Sequence, residues 1–147
     1  MDISSGAFWI LIGMRLSSYN DKSCELELRV RKKNLHAFNR AHGGVVASLI
    51  DSAIGFAAHN IVSAGFGTNT SQLNINYIKQ VELGEIIRAS AEIIHCGKTT
   101  MVGICQVRNQ KGDKVAFGTA TLITKPMDTL YKGKTKVIKG NIAQHTS

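Results

Sequence analysis

Two periods divide the chain. From Gly43 to about Ile61 the run GGVVASLIDSAIGFAAHNI contains no proline, and Val46, Leu49, Ile50, Ala53, Ala57 and Ile61 recur at helical spacing. Val45, Ile54 and Phe56 widen that arc until most of the circumference is apolar, which predicts a helix buried at the centre of a domain. One narrow stripe stays small and polar: Ser48, Asp51, Ser52, Gly55 and His59. Beyond the helix the period falls to two. Thr70 to Val81 alternates, with Leu73, Ile75 and Tyr77 on one face and Thr70, Gln72, Asn74 and Asn76 on the other. Glu85–Cys96 and Thr99–Arg108 read as two further strands broken at Gly97. Val115–Lys125 reads as a fourth, after a hairpin turn at Asn109-Gln110-Lys111-Gly112-Asp113. Before the helix, Met14–Tyr19 and Cys24–Arg31 are strand pieces about a turn at Asn20-Asp21.

One helix cannot cover both faces of a doubly wound parallel sheet, so that architecture is excluded. The pattern predicts an α+β fold in which a curved antiparallel sheet wraps one long central helix. Residues 1–126 form a single domain in this reading. Residues 127–147 lose periodicity and gain lysines, as expected of a basic, mobile tail. The sheet's free edges and outer face favour self-association.

Composition narrows the class. A chain of 147 residues suits one domain, and 44% hydrophobic with 19% charged residues excludes wholesale disorder. The formal charge is +8, and residues 125–147 supply half of it through Lys125, Lys132, Lys134, Lys136 and Lys139 against Asp128. No Arg/Lys block is interleaved with aromatics, so no nucleic-acid partner is expected. Cys24, Cys96 and Cys105 form neither a disulfide framework nor a zinc motif, and each reads as a small buried hydrophobe. The apolar run Ala7–Ile12 has no basic leader and is far too short to span a bilayer, so no membrane partner is expected. These features suggest a reduced, cytoplasmic protein.

Asp51 departs most from its surroundings. A carboxylate within an apolar helix is costly unless it is solvated, paired or used. His42-Gly43-Gly44 sits where the helix begins; its glycines leave backbone N–H groups sterically open, and the helix N-terminus favours negative charge. Such an arrangement can hold an oxyanion, and it can equally be a helix entry loop with a histidine cap. Other motifs fail. Gly97-Lys98-Thr99 lacks the upstream glycine of a phosphate-binding loop, where Glu92 stands instead. There is no GxSxG nucleophile elbow, and the histidines show no metal-binding spacing.

Taken together, His42-Gly43-Gly44, Asp51 nine residues after the histidine, and Leu73-Asn74-Ile75-Asn76-Tyr77 on the next strand resemble the hotdog-fold thioesterases, in particular their PaaI-type, phenylacetate-pathway branch. The resemblance runs from about Phe8 to Pro126. It implies a metal-free, cofactor-free hydrolase of acyl-coenzyme A thioesters, with sites formed across a homodimer or a dimer of dimers. In that family Asp51 would be the general base or nucleophile, and Thr70 would orient the attacking water beside it. Gly43 would donate its N–H to the thioester carbonyl from the other subunit, while His42 would shape the loop.

Two positions depart from the family. His36 stands where an asparagine usually holds the thioester, a role the imidazole, or Asn34 or Asn39 after a loop shift, could take. Asn39 stands at a usual glycine and tolerates left-handed geometry. Gly44, Asn39, Gly97 and Lys98 are then candidates for contacting substrate, with Lys98 first in line for a coenzyme A phosphate and Arg40, Lys79 and Arg88 behind it. The alternative reading is a hotdog module that binds acyl-CoA without hydrolysing it.

Overall fold

In the computed structural model, which describes residues 6–130, the elements follow the two periods. A short helix α1 (Ala7–Ile12) leads into β1 (Met14–Tyr19) and β2 (Ser23–Arg29), followed by a 3-10 turn at Lys32–Asn34. The long helix α2 (Gly43–Ile61) comes next, then β3 (Phe66–Tyr77), β4 (Ile86–Cys96), β5 (Thr100–Asn109), β6 (Lys114–Pro126) and a helical turn α3 (Met127–Leu130). The strands form one antiparallel sheet in the order β1-β2-β4-β5-β6-β3. The helix period and the α+β architecture are those read from the sequence.

α2 packs against β2, β4, β5, β6 and β3. Four inter-strand spacings span about 19 Å, while a helix with its side chains is about 10–12 Å across. The sheet can reach α2 from both sides only by curling around it. Val45, Val46, Leu49, Ile50, Ala53, Ile54, Ala57 and Ala58 are buried on the helix, facing Ile87, Ala89, Ala91, Ile93, Met101, Cys105, Val107, Ala120 and Leu122 from the sheet. Small residues let the layers approach. A side chain at Gly118 would meet Ile50 Cγ2 at 2.7 Å, and one at Gly103 would collide with Ile54 Cγ2.

The hairpin between β5 and β6 is the one the sequence predicts. Gly112 takes a left-handed φ of 86°, and the buried Asn109 side chain accepts from the Lys111 and Asp113 N–H groups at 3.0 Å each. Three expectations change, and one element is added. The third strand begins at Phe66 rather than Thr70 and ends at Tyr77 rather than Val81. Beyond Tyr77 the chain turns to the loop before α2, where the Val81 carbonyl accepts from the Ala41 N–H and Glu82 bridges Arg40. The run Ala7–Ile12 is helical, with Trp9 and Ile12 packed on the core. Cys96 is exposed at the end of β4; Cys24 and Cys105 are buried, and burial pushes both thiols up to about 12. Finally, the folded elements pass residue 126: the Met127 N–H donates to the Gly65 carbonyl and Met127 is half-buried. The expected mobile tail otherwise falls on residues 131–147, which lie outside the described residues.

Candidate active site

Asp51 lies one-half of the way along α2, half-buried, on the side that faces β3. Its Oδ1 accepts a hydrogen bond from the Thr70 hydroxyl at 2.7 Å. Among the described residues Asp51 has no cationic partner and its second oxygen accepts no hydrogen bond, and the residue lines the adjoining cleft. That cleft, about 240 Å³, lies between α2, α1 and the start of β3, with Trp9, Phe56, Leu122 and Met127 as its apolar walls.

The Asp51–Thr70 contact corrects the strand reading. Strict alternation put Thr70 opposite Leu73, Ile75 and Tyr77. In the structure all four point toward α2: Leu73 and Ile75 pack on the core, and the Tyr77 hydroxyl donates to the Gly43 carbonyl at 3.0 Å. The cause is a bulge. Thr70 pairs with Leu122 and Gln72 with Thr121, so Ser71 is the extra residue and parity changes across it. The Ser71 hydroxyl donates to the Thr121 carbonyl at 3.1 Å, holding the bulge in place.

At the start of α2, His42 is the N-cap, and its Nδ1 accepts from the Gly44 N–H at 2.8 Å. The proton of a neutral ring is therefore on Nε2. Gly44's donor is spent on the cap. The Gly43 N–H has no acceptor among the described residues, so it is the free donor at the positive end of the helix. Tyr77, to which sequence reasoning assigned no role, fixes this turn from β3; its place at the end of the alternating run was the available signal.

The other expected residues gather elsewhere. His36 Nδ1 accepts from the Phe38 N–H at 3.0 Å, and the ring lines a separate depression with Leu35, Ala37, Asn39 and Leu83. Asn39 has a φ of 59°, the left-handed geometry its identity allows. Asn34 is buried and structural: its Oδ1 accepts from the Arg31 N–H and its Nδ2 donates to the Ile12 carbonyl, so it is not available to a substrate. Gly97 and Lys98 form the β4–β5 turn, outside the lining of the Asp51 cleft. Three of the four candidate phosphate contacts already have carboxylate partners. Arg40 meets Glu82 at 3.0 Å, Lys79 meets Asp113, and Arg88 meets Glu25 at 3.2 Å and Glu27 at 2.9 Å. Lys98 has none among the described residues.

A family model described as the thioesterase superfamily matches residues 38–116, more than half of the chain, including the His42 cap, all of α2 and the Thr70 bulge. The chain belongs to the thioesterase superfamily. The acyl-coenzyme A thioesterase PaaI of Escherichia coli is 26% identical to this thioesterase over 131 residues, covering 89% of this chain and 82% of the relative. A thioesterase structure from Haemophilus influenzae superposes with a TM-score of 0.80 at 20% identity, over 85% of this chain and 87% of that one, a likeness in fold. A hypothetical thioesterase protein of Streptococcus pneumoniae, solved with coenzyme A, has a TM-score of 0.72 at 26% identity over 77% and 86% of the two chains. The hotdog fold implied by the sequence resemblance is thereby shown, and the protein is a thioester hydrolase.

Proposed function

We propose that this thioesterase hydrolyses acyl-CoA thioesters in the cytoplasm as a homodimer, with each site shared between protomers. The observation that carries the mechanism is the Asp51–Thr70 hydrogen bond beside an open cleft. One oxygen of the carboxylate is held by the hydroxyl, which leaves the other directed to a water molecule. Asp51 takes a proton from that water as its oxygen attacks the thioester carbonyl carbon. Negative charge then develops on the carbonyl oxygen, and a backbone N–H at a helix N-terminus stabilises it. Collapse of the tetrahedral intermediate breaks the C–S bond, and the proton held by Asp51 passes to the departing thiolate, giving the acid and coenzyme A.

Gly43 suits the oxyanion role, but not toward its own Asp51. Eight residues of helix separate them, about 12 Å along the axis at 1.5 Å per residue. No single carbonyl can meet both in one protomer. A two-fold arrangement supplies the missing half, bringing the Gly43 of one protomer to the Asp51 of its partner. Among the described residues β3 is an edge strand with one unpaired side, and it carries both Thr70 and Tyr77, so pairing there would join the two half-sites. The relative from Escherichia coli, named for acyl-coenzyme A, and the relative solved with coenzyme A support this substrate class. Lys98, free of carboxylates among the described residues, is the proposed phosphate contact.

The test is release of free thiol from a panel of acyl-CoAs by the wild type and by Asp51→Asn. The variant should fold normally and lose about 10²–10⁴-fold in kcat, the usual contribution of a positioned base. Full activity in Asp51→Asn would sink the mechanism, and tight acyl-CoA binding by the wild type without turnover would favour a binding module instead.

A further inference from the structure

Gly55 lies in the middle of α2, where glycine is the least favourable residue after proline. Other glycines here are demanded by packing: a Cβ at Gly118 or Gly103 would run into Ile50 or Ile54. Gly55 is different. Among the described residues nothing lies within 4 Å of the Cβ it lacks, and its φ is not left-handed, so neither their packing nor its backbone asks for glycine. What the missing side chain faces is the cleft beside Asp51, which Gly55 lines.

We infer that Gly55 is the residue that sets the size of the acyl group. The inference rests on the acyl-CoA reading above. Gly55 follows Asp51 by four residues, so it lies on the same face about 6 Å further along the helix. An acyl group whose carbonyl is at Asp51 and whose body enters the cleft therefore crosses Gly55. Trp9 and Phe56, with ring centroids 6.1 Å apart, form one wall of that passage; Leu122 and Met127 contribute to the other. These walls suit a six-carbon chain or an aryl ring, and His59 lies one further turn along. Within one protomer the cleft measures about 240 Å³, below the roughly 300–1,000 Å³ of a pocket for a drug-sized ligand. An acetyl group is too short to reach Gly55. A methyl or isopropyl side chain at this position would project into the passage and obstruct only the larger groups.

The experiment compares wild type, Gly55→Ala and Gly55→Val on acetyl-, hexanoyl- and benzoyl-CoA, with thermal midpoint and sedimentation mass recorded for each. Hexanoyl and benzoyl turnover, as kcat/KM, should fall at least tenfold in Gly55→Val and less in Gly55→Ala, with any acetyl turnover changed less than about twofold. Gly55→Ala should melt at a higher temperature than wild type, because alanine favours the helix and meets no neighbour. A lower midpoint, a change in mass, or equal losses on every substrate turned over would overturn the inference, since the glycine would then serve packing within or between protomers. If the wild type hydrolyses none of the three, the acyl-CoA hydrolase reading fails instead. The affinities of wild type and Gly55→Val for hexanoyl-CoA, measured by calorimetry, then decide the role of Gly55 separately: weaker binding by the variant supports it, and equal affinities or no binding overturn it.

Discussion

Gly118→Ala tests how the sheet seats the helix that carries Asp51. Gly118 lies on β6 between Ile75 of β3 and Cys105 of β5. A methyl group there would lie 2.7 Å from Ile50 Cγ2 and 3.3 Å from both Ile50 Cδ1 and the Asn74 carbonyl oxygen. Carbon atoms pack best at about 3.5–4.0 Å, so something must move by about 1 Å. Ile50 is fully buried, and a β-branched side chain in a helix has one strongly preferred rotamer, so the helix itself must shift. Overpacking of this kind costs about 1–3 kcal/mol, and replacing a strand glycine returns about 0.5–1 kcal/mol. The midpoints of these ranges leave a net loss of about 1 kcal/mol, with an upper bound of about 2.5 kcal/mol, lowering Tm by about 3–9 °C in a calorimetric scan. Ile50→Leu removes the offending Cγ2 while keeping the volume. The double variant should therefore be more stable than the two single effects predict, by at least about 0.5 kcal/mol. Ile50 directly precedes Asp51, so the same 1 Å shift should lower kcat by up to about 100-fold. Wild-type melting by Gly118→Ala together with an additive double variant would refute this seating of α2.

Two further outcomes follow from the site and the surface. If Asp51 and Gly43 act across protomers, Asp51→Asn and Gly43→Pro should each be nearly inactive, while co-refolding them should restore about a quarter of wild-type activity, because half of the dimers then hold one intact site. Proline removes the donor at the first helical position, where it is tolerated; no recovery in verified mixed dimers would refute the shared site. On the outer face of the sheet, Arg88 and Arg15 hydrogen-bond to Glu27 and hold its carboxyl below the usual glutamate range. The folded chain therefore binds this proton less readily than the unfolded chain. The stabilisation is complete above the unfolded value of about 4.3 and disappears as pH falls through the lower folded value. Denaturant titrations from pH 6 downward should show Glu27→Gln losing less stability than wild type below about pH 4.3; parallel curves would rule out this contribution.

Much of this protein was legible in local pattern. α2 was readable from Gly43 to about Ile61 because a 3.6-residue period is sustained over five turns, and the β5–β6 hairpin because Asn109 and Gly112 suit that turn. Part of the candidate site was legible as residue types at fixed spacing: a helix cap, two glycines and an aspartate on the same helix; the hydroxyl on the next strand came from the resemblance to the hotdog-fold thioesterases. The site's geometry was not legible. Whether Thr70 faces Asp51 depends on the bulge at Ser71, a property of how β3 pairs with β6 some fifty residues away. The same holds for the pairing of Arg40, Lys79 and Arg88 with carboxylates, which removes them from the list of free cations, and for Met127, which returns to the cleft through its bond to Gly65. Side-chain period is set by backbone geometry within a few residues, so the sequence by itself determines which elements form and which of their faces are apolar. Strand register and ion pairing join residues far apart in the chain, so only the tertiary structure decides which groups meet.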